Sequence, residues 1–177
     1  MDFQDKVVVV PGGGSGIGQA SCREFAAGHA AVAIVDRDEK GGRQTPEELH
    51  TNGGKAGLVL ADISVRTQVE SLIRDIVGKL GGINILVNNT GIRRYGSVLA
   101  TSEELWDEVM EVNLKSAFLV SKHAIPEMRE RGGGSIVITG SVQSFGAIVN
   151  SVAYVVSKLG LLGLARSMAL DQAKRNI

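Results

Sequence analysis

Tyr154 and Lys158 stand four residues apart, a spacing that puts two side chains on one face of a helix. Ser141 lies a short way upstream, just past an apolar run. A phenol with a reference pKa of about 10 is a poor base at neutral pH. A neighbouring ammonium stabilises the phenolate. Lys158 can therefore tune Tyr154 for proton transfer while the Ser141 hydroxyl holds the substrate oxygen. A Tyr and a Lys at this offset also occur on many solvated helices, so the pair gains meaning only from what positions it.

A glycine cluster supplies that context. Gly12, Gly16 and Gly18, with Ser15 between them, follow the apolar run 7–10 and open a small-residue helix. Backbone there can pass close to a pyrophosphate while free helix N–H groups point at it. Asp36 ends the second apolar run, about twenty residues beyond the turn, where a carboxylate accepts from ribose hydroxyls. It would repel a 2′-phosphate, and Ser15 offers no compensating charge. NAD is thus favoured over NADP, with Arg37 beside Asp36 keeping NADP open. Asp62 ends the third run and either meets the adenine amino group or helps cap the helix that Ser64 starts.

The elements behind these residues alternate. Strands are expected at 7–10, 30–35, 56–61, 83–87 and 135–139, each followed by a helix. Short, continuously apolar strands separated by helices specify a parallel sheet covered on both faces. The expected fold is α/β: a doubly wound, three-layer, Rossmann-type sheet in one domain over 1–177, with ligands at the carboxyl ends of the strands. After the second strand, Gly41, Gly42 and Pro46 suggest a broken or delayed helix, recapped by Thr45 with Glu48. Ser64 is expected to cap the third helix, which carries Val69, Leu72, Ile73, Ile76 and Val77 on one side. Thr101 with Glu104 reads as a capping box opening a long helix to about Arg131, whose apolar positions include Leu105, Val109, Val112, Phe118 and Leu119. The last helix spans about 153–173.

Composition narrows the function. Hydrophobic residues make up 44% and charged residues 21% of the 177, ordinary for a globular chain. Nineteen basic and nineteen acidic side chains cancel, so no field draws the chain to nucleic acid or an anionic membrane. The apolar stretches look strand-sized, short of the roughly 20 residues of a membrane helix. Asp2 and Asp5 stand where a signal peptide has a basic lead. A cytoplasmic location is expected, with an organellar matrix as the alternative. Cys22 is expected to be a buried hydrophobe, not a reactive thiol.

The chain resembles the short-chain dehydrogenase/reductase family. That family carries a Thr-Gly-x-x-x-Gly-x-Gly turn, Asn-Asn-Ala-Gly after strand four, a helix asparagine, a serine, and Tyr-x-x-x-Lys. Here these read Pro11-Gly12-Gly13-Gly14-Ser15-Gly16-Ile17-Gly18, Asn88-Asn89-Thr90-Gly91, Asn113, Ser141, and Tyr154-Val155-Val156-Ser157-Lys158. The resemblance implies a nicotinamide-linked interconversion of an alcohol and a ketone, with Tyr154 as acid or base and Ser141 orienting the substrate oxygen. It also implies that Lys158 binds the nicotinamide ribose and that Asn113 supports a water beside Lys158. Ile17, Ile63, Asn89 and Gly91 are implied against the cofactor, and Asn88 as a brace between sheet and cofactor region. A homo-oligomer is implied for the full-length protein.

Pro11 and Thr90 depart from the pattern, in place of a threonine and an alanine. Family members also run on through strands six and seven, whereas this sequence stops at Ile177. The rival expectation is therefore a truncated or divergent relative that binds a nucleotide, or serves as a structural partner, without turnover. The chain made alone is expected to be poorly stable, with the apolar edge 136–138 unpaired. The substrate is not named by the sequence. Arg93 and Arg94, with Tyr95, suggest an anionic one, against the plainer expectation of two solvated arginines.

Overall fold

The computed structural model describes residues 1–177. The five apolar runs form strands β1 (Val7–Pro11), β2 (Ala31–Asp36), β3 (Lys55–Leu60), β4 (Ile85–Asn88) and β5 (Ser135–Ile138). All pair in parallel, in the order β3-β2-β1-β4-β5. The direction of winding reverses at β1, which puts a crevice beyond the carboxyl ends of β1 and β4.

β1 shows why the strands are continuously apolar. Successive side chains face opposite layers, so a strand covered twice needs hydrophobes at every position. Val7 and Val9 join Val69, Leu72 and Ile76 of α3 (Arg66–Leu80) on one face. Val8 and Val10 join Cys22 and Ala26 of α1 (Gly16–Ala27) and Leu49 of α2 (Glu39–Thr51) on the other. Burying one Leu or Ile contributes about 1.5–3 kcal/mol. Cys22 is fully buried and its thiol is pushed up to about 12 by that burial, as expected for an unreactive hydrophobe.

Several local expectations fail for identifiable reasons. The second helix is neither broken nor delayed. Asp38 caps it by accepting from Lys40 N and Gly41 N, and it runs unbroken through Pro46. Gly42 has a tertiary purpose: a Cβ there would meet Leu58 Cδ1 at 2.8 Å, so glycine lets α2 close on the sheet. Thr45 is buried and accepts from Gln19 Nε2 at 3.2 Å; it caps nothing. Ser64 does not cap α3 either, because its N–H and hydroxyl both donate to Asp62 Oδ1 and Val65 takes the cap position. At the next helix Ser102, one residue later than Thr101, accepts from Leu105 N, while the Thr101 hydroxyl donates back to Ser97 O.

The long helix is a column: α4 (Glu103–Met110), a wider π turn over Glu111–Lys115, and α5 (Ser116–Glu130). Of the apolar positions on this column, Val109 and Leu119 are buried and Phe118 is not. It is half exposed, with Lys122 Nζ 5.8 Å from its ring centre. The last helix, α6 (Val152–Gln172), hydrogen-bonds to this column through Asn113–Ser157 and Arg129–Gln172. The expectation of only strand-sized apolar stretches also needs correction. Val152–Arg175 forms one helical stretch long and apolar enough, by length and composition, to cross a membrane. Ser157, Gly160 and Gly163 interrupt its large side chains without adding charge, which disguises the stretch in the sequence. β5 has a neighbour on one side only, and Val137 is half exposed there.

Candidate active site

The turn after β1 is built to leave a helix end open. Gly12 (φ +73°) and Gly16 (φ +53°) occupy the left-handed region that suits glycine. Gly12 N donates to Val35 O at 2.8 Å, which ties the turn to β2 although Pro11 has no N–H to give. Ser15 sits at the N-cap of α1 without a side-chain bond to it, and no carboxylate occupies the first turn. Those N–H groups and the positive end of the helix therefore face the crevice unpaired. A Cβ on Gly16 would meet nothing within 4 Å; a Cβ on Gly18 would lie 2.0 Å from Gly12 O. Gly18 thus stands behind the cavity, holding α1 against the turn, while Gly12, Ser15, Gly16 and Ile17 line it.

Asp36 is aimed by backbone. Its Oδ2 accepts from Gly14 N and its Oδ1 from Asp38 N, each at 3.1 Å. Asp62 and Ile63 line the same cavity, and Arg37 joins them. Hydrogen bonds from Ser64, aided by the Arg37 cation, hold Asp62 below the usual carboxylate range against its partial burial. Asn89 reaches Gly12 O with Nδ2 and accepts from Thr139 Oγ1 at 3.1 Å. Thr90 packs on the turn, where a Cβ on Gly12 would lie 3.0 Å from its Oγ1. Asn88 is buried and donates to Ser121 Oγ at 3.0 Å, joining β4 to α5.

At the other end of the cavity are Gly91, Tyr154 and Lys158. Lys158 Nζ lies 5.9 Å from the Tyr154 ring centre and donates to Thr139 O at 2.8 Å. The π turn carries Asn113, which is buried. Its Oδ1 accepts from Ile92 N at 2.7 Å, and its Nδ2 donates to Ile92 O at 2.9 Å and Ser157 Oγ at 3.0 Å. Asn113 thereby locks the strand-four loop to the helix bearing Tyr154 and Lys158. A Cβ on Gly91 would touch Lys158 Nζ at 3.4 Å and Asn113 Oδ1 at 3.5 Å. Ser141 lies just past β5, as expected. It caps the 3₁₀ turn Val142–Ser144, its hydroxyl donates to Gln143 Oε1, and Gly140 lines the cavity in its place. Thr139, Ser144 and Ser157 were not singled out from the sequence. Ser144 Oγ bonds Lys158 O, and only the fold reveals these braces.

Burial pushes the Lys158 ammonium below the ordinary lysine value of 10.5. In the folded state the proton is therefore held less tightly than in the unfolded chain. The resulting destabilisation is full below the folded value and vanishes as pH rises to about the unfolded one. Lys158→Met should accordingly show a stability difference from the parent that shifts against the variant between pH 7 and pH 10. Urea melts of both proteins at the two pH values check this; a pH-independent difference would remove the buried-cation account.

With this geometry in place, comparison with known proteins is informative. The short chain dehydrogenase family model matches residues 6–177. An uncharacterized oxidoreductase of Thermotoga maritima is 43% identical over 171 residues, 97% of this chain and 67% of the relative. The dehydrogenase/reductase SDR family member 4 of Sus scrofa is 34% identical across 99% of this chain and 63% of its own length. A crystal structure from Burkholderia xenovorans, assigned to the short-chain dehydrogenases/reductases, has a TM-score of 0.95 at 34% identity over 98% of this chain and 71% of that one. The chain spans about two thirds of the length of these relatives.

Proposed function

The chain belongs to the short-chain dehydrogenase family, and from that premise we propose that the protein moves a hydride between NAD(H) and a secondary alcohol or its ketone, with Tyr154 as the acid–base group. One observation carries this reading: the open glycine turn, Asp36 and the Tyr154–Lys158 pair all line a single cavity of about 500 Å³. The residues present suit a dinucleotide. The uncapped first turn of α1 suits the pyrophosphate, the space over Gly16 is one a Cβ would fill, and the aimed carboxylate of Asp36 suits a ribose diol.

When bound, a nicotinamide supplies or accepts the hydride. In the oxidative direction, the Tyr154 oxygen takes the alcohol proton as the carbon–hydrogen bond gives up its electron pair; in reduction the same O–H returns the proton to the carbonyl oxygen. Lys158, fixed by Thr139 O, places positive charge beside the phenol and favours the charge that develops on its oxygen. Asn113 keeps that pair in register with the loop after β4. Ser141 can serve the substrate oxygen once its hydroxyl leaves Gln143.

The protein is expected to bind NADH more tightly than NADPH, because the Asp36 carboxylate in the cavity would repel a 2′-phosphate and Ser15 brings no cation. Fluorescence titration of both nucleotides, with turnover on a panel of secondary alcohols, tests the proposal. Asp36→Ala should narrow the gap several-fold. Tighter NADPH binding would remove the Asp36 assignment, and binding without any turnover would leave a nucleotide-binding protein in place of a dehydrogenase.

A further inference from the structure

Arg93 and Arg94 are adjacent in sequence but differ in what holds them. Arg94 makes a two-pronged bond to Glu108, its Nη2 at 2.7 Å and its Nε at 3.0 Å from the carboxylate oxygens. Arg93 has no carboxylate partner and lines the cavity with Tyr154 and Lys158. Its guanidinium carbon is 5.5 Å from the Tyr154 ring centre and 4.7 Å from that of Tyr95. Its Nη2 donates to the buried Ser151 Oγ at 3.2 Å.

The backbone fixes this arrangement. Gly96 and Ser151 form an isolated parallel bridge, with Gly96 N donating to Asn150 O at 3.0 Å and Val152 N to Gly96 O at 3.3 Å. Asn113 clamps Ile92 at the other end of the same short loop. The loop carrying Arg93 is therefore held at Ile92 by the π turn and at Gly96 by the residue that precedes α6, the helix that carries Tyr154. A guanidinium has five N–H donors in a planar fork, and the bond to Ser151 uses one. Tyr95 and Tyr154 lie within cation–π distance of it, and the remaining donors suit a planar anion.

We propose that Arg93 is a specificity-determining residue that binds a carboxylate on the substrate, so that the protein acts on short hydroxy acids or the matching oxo acids. This rests on the dehydrogenase reading above. A carboxylate in the fork lies beside the Tyr154 ring, which places the reacting carbon of a small hydroxy acid within reach of the phenol. Nothing anionic among the protein side chains bonds this guanidinium, so the substrate does not have to displace one.

The test is steady-state kinetics with NAD on matched pairs: 2-, 3- and 4-hydroxy acids against their primary amides, for the parent, Arg93→Gln and Arg94→Gln, with NADH affinity measured separately. Hydrogen bonds to a charged group correspond to about 10- to 100-fold in binding. The parent should prefer one acid over its amide by that factor in kcat/KM. Arg93→Gln should bring the ratio close to one, chiefly through KM, with NADH affinity retained. Arg94→Gln, whose lost charge was already paired with Glu108, should keep the parent's ratio. A parent that uses the amides as well as the acids, or a preference that survives Arg93→Gln, overturns the assignment of Arg93 and leaves the dehydrogenase intact. Hydroxyalkyl phosphates preferred over every carboxylate would overturn the choice of anion. Absence of nicotinamide-linked turnover on every substrate overturns the dehydrogenase reading itself.

Discussion

Tyr154→Phe should lower turnover by about 10²-fold or more while leaving NADH affinity within a few-fold of the parent. The substitution removes one oxygen and keeps the ring, and therefore keeps the packing of α6 against the 3₁₀ turn and the π turn. Lys158 retains its bond to Thr139 O, and Asn113 retains Ile92 and Ser157. What disappears is the only phenol lining the cavity. A positioned acid–base group is worth 10²–10⁴-fold, so the loss belongs in kcat and not in cofactor binding. Lys158→Met should differ, because that change removes an ammonium that lines the cavity together with its bond to Thr139 O. Turnover by Tyr154→Phe within a few-fold of the parent would mean that another group, or solvent, moves the proton.

The features legible in the sequence are those whose physics is local. A left-handed turn demands glycine wherever it occurs, so Gly12 and Gly16 announced themselves. A carboxylate at the end of a strand beside that turn is equally visible. Continuous apolar runs forecast a doubly covered parallel sheet because each strand position alone must face a layer. Features set by partners distant in sequence were misjudged. Pro46 looked like a breaker, but the cap from Asp38 and the close approach of Gly42 to Leu58 carry the helix through it. Thr101 and Ser102 show two neighbouring hydroxyls competing for one cap, whereas the Ser64 hydroxyl, held by Asp62, leaves α3 without a side-chain cap at Val65. Arg93 and Arg94 could not be separated until Glu108 of α4 was placed beside one of them. Asn113 could be marked in the sequence only through the family resemblance, because its hydrogen-bond partners lie 21 and 44 residues away. The π turn carries Asn113, and from there its carboxamide reaches Ile92.

Gly18→Ala should damage the protein more than any other single methyl group added in the turn. The new Cβ would lie 2.0 Å from Gly12 O and 2.8 Å from Asn89 Nδ2, distances no packed carbon tolerates. Neither neighbour can yield cheaply. Gly12 is held at positive φ and its N–H is committed to Val35 O, so moving its carbonyl pulls on the junction of β1 and β2. Asn89 is held by the hydroxyl of Thr139, the residue just past β5. The remaining outlet is for α1 to lift off the turn, which carries its first N–H groups away from the cavity. Overpacking of this kind costs about 1–3 kcal/mol in stability, and sometimes more. Losing even one hydrogen bond to a charged pyrophosphate weakens binding by about 10- to 100-fold. Both effects should appear together in Gly18→Ala: a lower urea midpoint and a weakened NADH titration. Gly163→Ala supplies the contrast. A Cβ there meets nothing within 4 Å and sits inside α6, so it should stabilise by about 0.5–1 kcal/mol and leave NADH affinity alone. Parent-like stability and NADH affinity in Gly18→Ala would show that the turn is far softer than its contacts imply, and that the close approach of α1 to Gly12 is not what forms the nucleotide cradle.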